Sequence, residues 1–117
     1  METGYQLTFF LNATHSVKLQ QKLFSEHPHT YEIKCWVVTK SQDCSEEISK
    51  KIQEIIDRLD NHFLNQLDDF NKLNPTLENL TKYLFKEISH QLNEEEYRLT
   101  KIKVADSPLR SYFINAD

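Results

Sequence analysis

Two stretches of this chain alternate between apolar and polar residues with a period of two, and this pattern constrains the fold more than any other feature. The first stretch runs from Tyr5 to His15 and the second from His27 to Val38. Because successive side chains of a strand point to opposite faces, each stretch is predicted to form a strand with one buried face. The predicted buried faces comprise Tyr5, Leu7, Phe9, Leu11, Ala13 and His15 in the first strand, and His27, His29, Tyr31, Ile33, Cys35 and Val37 in the second.

Two later segments have the residue spacing of amphipathic helices. Asp43 is predicted to open the first helix, with Glu46 as its capping-box partner. The second helix is predicted to begin at Asn74-Pro75, an N-cap residue followed by a proline at the first helical position. A loop from Asp60 to Leu73 is predicted between them. The predicted apolar stripes comprise Ile48, Ile52, Ile55, Ile56 and Leu59 in the first helix, and Leu77, Leu80, Leu84 and Ile88 in the second.

Strands are predicted again from Tyr97 to Asp106 and from Ser111 to Asn115, which gives the order ββααββ. Strands that run together, with the helices grouped between them, indicate the α+β class. We therefore predict a four-stranded antiparallel sheet with two helices on one face. Residues 1–117 are expected to form a single domain, because one glycine and three prolines leave no room for a flexible linker.

Composition restricts the classes of partner and the compartment. A formal net charge of −4, with acidic and basic residues interspersed, argues against nucleic acid as a partner. No apolar run approaches the length of a membrane span, so we expect no membrane partner and a cytoplasmic location. Cys35 and Cys44 suit a reduced protein better than a disulfide framework, and Cys35 is predicted to be packed in the core.

Three histidines lie at the neighbouring ends of the two alternating stretches. His27 and His29 are two residues apart and share a strand face, and an antiparallel hairpin would bring His15 beside them. A His-x-His pair alone is slightly more typical of a polar strand end than of a metal site. Neutral imidazole, however, is the commonest protein ligand of zinc, and three such ligands leave a fourth tetrahedral position open. Because two independent alternation patterns place the three imidazoles together, we predict a Zn²⁺ site formed by His15, His27 and His29.

Five short motifs occur along the chain in a characteristic order. They are Phe10-Leu11-Asn12-Ala13-Thr14-His15, His27-Pro28-His29-Thr30-Tyr31, Leu59-Asp60-Asn61-His62-Phe63-Leu64-Asn65, Pro75-Thr76-Leu77-Glu78-Asn79 and Val104-Ala105-Asp106-Ser107. In these motifs and their order, the chain resembles the 6-pyruvoyl-tetrahydropterin synthase and 6-carboxytetrahydropterin synthase family, which has the tunnelling fold. The resemblance covers nearly the whole chain.

The resemblance implies a ligand, a metal and an assembly. It implies zinc held by the three histidines, in a site between neighbouring subunits of a homohexamer built as two stacked trimers. It implies a pterin-like small molecule, whose ring would be anchored by the carboxylate of Asp106 and backed by Thr76. Asp106 is one methylene shorter than the family's glutamate. Glu78 is a further candidate for ring binding, although an acidic residue in the first turn of a helix is equally explained by the helix dipole.

The chain departs from the family in the groups that move protons. The loop at residues 16–26 contains no cysteine, whereas the family carries its catalytic cysteine there. Asp60 of the family's Asp-His pair is retained, but Asn61 replaces the histidine. The candidate proton-handling groups are therefore Asp60 with His62, or Glu26, since one family variant associated with folate synthesis uses a glutamate in this loop. Glu26 directly precedes His27 and so does not have that variant's spacing.

Two hypotheses about function follow from these residues. The first is a zinc-dependent lyase, similar to 6-pyruvoyl- or 6-carboxytetrahydropterin synthase, that acts on a dihydroneopterin triphosphate-like pterin with altered or weak activity. The second is a non-catalytic, zinc-containing oligomer that binds a pterin or a purine-like ring. Zinc ligands without the usual base favour the second, whereas the retained Asp60, Thr76 and Glu78 favour the first. A purely structural zinc is disfavoured, because structural sites normally have four protein ligands.

Overall fold

The computed structural model of this protein describes residues 1–15, 18–19, 22–23, 27–61, 64, 75–92 and 96–117. Their elements, in chain order, are β1 (Gly4–His15), β2 (Lys18–Leu19), β3 (Lys22–Leu23), β4 (His27–Thr39), α1 (Ser45–Leu59), α2 (Leu77–Gln91), β5 (Tyr97–Ser107) and β6 (Arg110–Asn115). Within the described ranges, the long strands form one antiparallel sheet in the order β1-β4-β5-β6, and β2 pairs with β3. No helix in these ranges is long and apolar enough to cross a membrane.

The predicted α+β architecture is confirmed. The four long strands and two helices follow the predicted order ββααββ, and no predicted bound differs from the observed one by more than two residues. The short β2–β3 hairpin between β1 and β4 is an addition that the alternation pattern does not predict. Both helices pack on the same face of the sheet, because their apolar stripes and one face of the strands share a single hydrophobic core.

The register of β1 and β4 runs without interruption from Gly4 opposite Val38 to His15 opposite His27. At the first end the strands are very close, since a Cβ atom added to Gly4 would lie 2.0 Å from the carbonyl oxygen of Val37. The single glycine of the chain therefore stands where a side chain would force the two strands apart.

The core contains most of the residues that alternation and helical spacing predict, but Tyr5 and Leu7 of β1 are only partly buried and pack against its edge. Every second residue of β4 from Tyr31 to Val37 is at most 1% exposed, and the helix stripes are buried to the same degree or nearly so. Cys35 is fully buried, as predicted, and desolvation by this burial raises the pKa of its thiol to about 12. The largest fully buried side chains are Tyr31, Leu11, Ile33, Ile48, Ile52, Ile55, Ile56, Leu64, Leu80, Leu84, Ile88 and Ile102.

The predicted start of α1 is wrong. Cys44 is the N-cap residue and makes no side-chain capping hydrogen bond, so the predicted capping box of Asp43 and Glu46 is not formed. Asp43 instead has a φ of 57°, which is the left-handed region that short polar residues tolerate. An N-cap residue normally has an extended backbone, and Asp43 therefore belongs to the turn before the helix.

The predicted start of α2 is also wrong, by two residues. The N-cap residue is Thr76, whose Oγ1 accepts a hydrogen bond of 3.1 Å from the backbone N–H of Asn79. Pro75 precedes the cap and is buried, rather than occupying the first helical position. Asn74, the predicted N-cap residue, lies outside the described residues. Thr76, a candidate ligand-binding residue, therefore has a structural role at the helix terminus.

The face of the sheet opposite the helices carries exposed aromatic side chains. Phe10 of β1 is 57% exposed and Phe113 of β6 is 54% exposed. Near the middle of this face, the Lys101 Nζ atom lies 4.9 Å from the ring centroid of Trp36 and 5.1 Å from that of Phe113. In the described part of the chain no helix covers this surface, which we call the outer face.

The role of Thr76 in capping α2 is testable. Thr76→Ala removes the side-chain acceptor and is expected to lower the free energy of unfolding by about 1 kcal/mol, as loss of an N-cap residue typically does. Thr76→Ser keeps the hydroxyl and is the matched control, expected to remain close to the wild type. Urea denaturation followed by circular dichroism measures both variants. An alanine variant as stable as the wild type would contradict the capping role.

Candidate functional site

The paired ends of β1 and β4 bring three histidine positions together in the backbone. His15 lies directly opposite His27, and His29 lies opposite Ala13, a core residue that is 4% exposed. The predicted antiparallel pairing of the two strands is therefore confirmed. The side chains of the three histidines are outside the described part of the structure, and among the described side chains no group of His, Cys, Asp or Glu residues could hold a metal ion. Zinc binding stays a prediction.

Asp60 fastens the segment after α1 to the edge strand β1. Its Oδ1 atom accepts a hydrogen bond of 2.9 Å from the backbone N–H of Asn12. The backbone N–H of Asn61 in turn donates to the carbonyl oxygen of Asn12 at 2.6 Å. Both backbone polar groups of Asn12 thus have partners in this segment, as backbone groups of folded proteins generally require. Asp60 consequently anchors β1 three residues before His15.

The residue after Asp60 has an unusual backbone conformation. Asn61 has a φ of 61°, in the left-handed region where asparagine is enriched among residues other than glycine. Histidine is also enriched in this region, so the backbone conformation does not by itself explain an asparagine where the resemblance predicts a histidine. The Asn12 side chain extends this network, because its Oδ1 atom accepts a hydrogen bond of 2.7 Å from Thr30 Oγ1. His62 and Glu26, the other candidates for proton handling, lie outside the described residues.

Asp106 lies in a β-bulge at the end of β5. Ala105 pairs with Ser111 whereas Ser107 pairs with Arg110, so Asp106 is an extra residue on its strand. Bulges of this kind redirect a side chain and often lie next to functional sites. The Asp106 side chain is only 9% exposed, and the Arg110 guanidinium donates to both of its carboxylate oxygens through Nε, at 3.3 Å, and Nη2.

Arg110 is a residue that the sequence analysis missed. The signal available in the sequence is an acidic and a basic residue four apart, on either side of Pro108-Leu109. This spacing is common on helices and has no fixed meaning in a hairpin. Only the bulge at Asp106 makes the two side chains face each other.

The electrostatics of Arg110 connect Asp106 to α2. The hydrogen bond and charge of Asp106 raise the pKa of the guanidinium, and the charge of Glu78 adds to this effect. Glu78 lies in the first turn of α2, so that two predicted ring-binding carboxylates, Asp106 and Glu78, act on one guanidinium. Burial, followed by the charge of Asp106, raises the pKa of Tyr31 well above its usual value, while Arg110 lowers it. The Tyr31 phenol therefore stays protonated at neutral pH.

A cleft of about 430 Å³ opens beside this pair. Its described lining residues include the cations Lys103 and Arg110 and the carboxylates Glu32 and Asp106, together with Phe10 and Thr30. Small-molecule sites in proteins usually have volumes of about 300–1,000 Å³, with a few convergent polar groups. The cleft has the size and the mixed polarity of a small-molecule site. Its wall from Phe10, Glu32 and Lys103 belongs to the outer face, whereas the Asp106 carboxylate acts on Tyr31 of the core face.

Comparison with known structures agrees with the fold described above. The 6-pyruvoyl tetrahydropterin synthase of Caenorhabditis elegans matches with a TM-score of 0.83 and 16% sequence identity, over 100% of this chain and 97% of that chain. A catalytic-residue mutant of the Plasmodium vivax 6-pyruvoyltetrahydropterin synthase matches with a TM-score of 0.71 and 11% identity, over 98% and 99% of the respective chains. At these identities the likeness shows the fold alone.

An uncharacterized protein from Wolinella succinogenes has the same fold, with a TM-score of 0.69 and 10% identity over 100% of this chain and 99% of that chain. No curated protein matches the sequence. The family model of 6-pyruvoyl tetrahydropterin synthase, in contrast, matches residues 5–117. Because that match extends over nearly the whole chain, the protein belongs to the 6-pyruvoyl tetrahydropterin synthase family and has its tunnelling fold.

Proposed function

We propose that this protein is a zinc-dependent member of the family that acts on a dihydroneopterin triphosphate-like pterin, with altered or weak synthase activity. The observation that carries the proposal is the β1–β4 register, which sets His15 opposite His27 with His29 two residues further along β4. Family membership and the tunnelling fold support it. The altered activity is inferred from the chain's own residues, as follows.

The donor set and its backbone positions fit zinc. Directly opposite residues of an antiparallel pair have Cβ atoms about 4.5–5.5 Å apart, a separation that two imidazoles bound to one ion can bridge. His15, His27 and His29 would hold the ion. Three histidines leave one tetrahedral position open, and zinc in such a site polarises a substrate oxygen as a Lewis acid.

Ring recognition is assigned to Asp106 and the start of α2. A nearly buried carboxylate can accept two parallel hydrogen bonds, which suits the ring N–H and amino group at the edge of a pterin. Glu78 and Thr76 lie at the N-terminus of α2, and Glu78 is close enough to influence the pKa of Arg110 beside Asp106. A hydroxyl that accepts one capping hydrogen bond, as Thr76 does, retains a further lone pair and its proton for a ligand.

The described residues include groups that could bind a pterin ring, but they lack an obvious general base. Burial holds the pKa of Cys35 at about 12, so its thiol is protonated at neutral pH and cannot replace the family's loop cysteine. Asp60 is engaged in holding β1, and a role as base would need His62 beside it or Glu26 in its place. This shortage of a base is the reason for proposing weak or altered turnover.

The use of Asp60 as an anchor also favours a second candidate function. If Asp60 serves only to hold β1, the protein is a non-catalytic, zinc-containing oligomer that binds a pterin or a purine-like ring. The two candidates share the metal and the ring site. They differ only in whether any group removes a proton from the bound molecule.

An assembly of two stacked trimers accounts for the outer face. Phe10 and Phe113 lie exposed on the two edge strands β1 and β6. Strand edges and exposed apolar patches are usually covered in native proteins, because both promote uncontrolled association. Joining subunits edge to edge into a barrel would pair the edges and cover the outer face.

The metal content tests the first step of the proposal. Purified protein is expected to carry about one zinc per chain, as one three-histidine site requires. The double variant His27→Ala/His29→Ala should lose it, whereas His90→Ala, which removes an exposed histidine of α2, is the matched control and should retain it. Elemental analysis by mass spectrometry measures both. Full zinc in the double variant would refute the assigned ligands.

Turnover of dihydroneopterin triphosphate separates the two candidates for a base. General-base assistance is typically worth about 10²–10⁴-fold in rate, so a protein without the loop cysteine should be a poor synthase. Glu26→Gln should abolish the residual activity if Glu26 is the base, and His62→Asn should do so if His62 acts with Asp60. Glu96→Gln and His90→Asn are the respective controls. Robust turnover that survives both test substitutions would show that the site has been wrongly assigned.

Light scattering tests the assembly. At micromolar concentration the protein is expected to have about six times the mass of one chain, because the exposed edges and aromatic side chains of the outer face are covered only on association. Size-exclusion chromatography with multi-angle light scattering gives this mass directly. A stable monomer under these conditions would contradict the proposed oligomer.

A further inference from the structure

We infer that Arg110 is an intramolecular competitor for the Asp106 carboxylate and gates the binding of a pterin ring there. The inference rests on the proposed function, because it takes Asp106 as the group that receives the ring. Arg110 would thereby control the affinity and specificity of ring binding. It belongs neither to the predicted metal site nor to the predicted proton-handling groups.

The two partners of the pair differ in how firmly the protein holds them. The Asp106 side chain is 9% exposed and is fixed at the β-bulge, whereas that of Arg110 is 67% exposed at the start of β6. The guanidinium reaches the carboxylate from the solvent side, with Nε bonded to Oδ1 and Nη2 to Oδ2. Arg110 is therefore the partner that can leave, and Asp106 the one that stays.

Arg110 presents the same donor pattern as the proposed ligand. The guanidinium fork offers two parallel N–H groups to both oxygens of one carboxylate, which is the geometry of a bidentate arginine pair. The edge of a 2-amino-4-oxopteridine offers two parallel N–H donors, from its amino group and the neighbouring ring nitrogen. One carboxylate accepts only one such fork in its plane, so a bound ring and Arg110 exclude each other.

The surroundings of Arg110 include a second negative charge. The negative charge of Glu78 raises the pKa of the Arg110 guanidinium, which places Glu78 within electrostatic reach across the contact between α2 and β6. Arg110 and Asp106 both border the 430 Å³ cleft, which leaves open space beside the arginine side chain for it to move away from the carboxylate.

The competition lowers apparent affinity in a defined way. When the binding-competent state is only fractionally populated, the apparent dissociation constant rises by the inverse of that fraction. A carboxylate that is occupied by Arg110 for nine tenths of the time would thus bind a ring about tenfold more weakly than a free one. Ligands without two parallel donors gain nothing at Asp106 and would not displace the arginine.

The proposed competition is tested by measuring the affinity of the zinc-loaded protein for neopterin in a fluorescence titration. Neopterin has the pteridine ring without a triphosphate. Arg110→Met removes the fork and is expected to bind neopterin about tenfold more tightly than the wild type. Arg110→Lys keeps the positive charge without the fork and should fall between the two. Arg98→Met is the matched control, since it removes another exposed arginine, paired with Glu2 at 2.6 Å, and should leave the affinity unchanged.

Asp106→Asn, combined with Arg110→Met, completes the design and should cancel the gain in affinity. If the wild type binds neopterin through Asp106 and Arg110→Met binds equally or more weakly, the gate is refuted and the proposed function stands. If neither the wild type nor any arginine variant binds neopterin, the proposed function fails and the gate fails with it. Should Arg110→Met not fold, Arg110→Lys decides, and an affinity no tighter than that of the wild type refutes the gate.

Discussion

The antiparallel pairing of β1 with β4 determines both the core and the composition of the candidate site. Side chains on a strand alternate with a period of two, so a shift of one residue would move every buried side chain of β1 to the outer face. Burial of these side chains therefore strongly favours the observed register, from Gly4 opposite Val38 to His15 opposite His27, over a register shifted by one residue. The same register that buries Leu11 and Ile33 also brings the histidine positions together. The proposed metal site depends on a register that hydrophobic burial enforces.

Two further sets of polar contacts stabilise the end of the sheet where the candidate site residues lie. Asp60 and Asn61 bond both backbone polar groups of Asn12, which fastens β1 to the C-terminal end of α1 close to the histidine positions. At the far side of the sheet, the bulge at Asp106 turns a carboxylate towards Arg110 and the start of α2. In both places an irregular backbone, a left-handed Asn61 or an inserted Asp106, supports a polar group at the candidate site. Regular strand pairing forms the sheet, and the two irregular backbone positions orient polar groups of the candidate site.

Much of the fold was predictable because the spacing of apolar residues reflects which faces of the strands and helices are buried. Alternation in β1 and β4 predicted their pairing, and the apolar stripes of α1 and α2 predicted which helix faces enter the core. The helix starts were not predictable in this way, since capping depends on one residue's backbone angles. Asp43 has the side chain of a good N-cap residue but a left-handed φ, and Thr76 competes successfully with Asn74-Pro75 for the start of α2. Residue type alone therefore does not determine at which residue a helix begins.

The candidate site was predictable only in part, for a related reason. The three histidine positions follow from strand register, whereas Asp106 was indicated only by the resemblance of its motif to the family. Arg110 was missed, because its contact with Asp106 depends on a bulge that leaves no periodic signal. The anchoring role of Asp60 was likewise not visible, since it joins residues 48 apart in the chain. Long-range polar contacts need the fold before they can be recognised.

X-ray absorption spectroscopy at the zinc edge tests the central claim, that three histidines hold an open zinc site, most directly. The account predicts a first shell of three imidazole nitrogens and one oxygen at about 2.0–2.1 Å, with no sulfur. A scattering shell at about 2.3 Å, the length of a zinc–sulfur bond, would contradict the assignment, because none of the three assigned ligands contains sulfur. A first shell of four protein ligands would also contradict it, since it would leave no open position for a substrate.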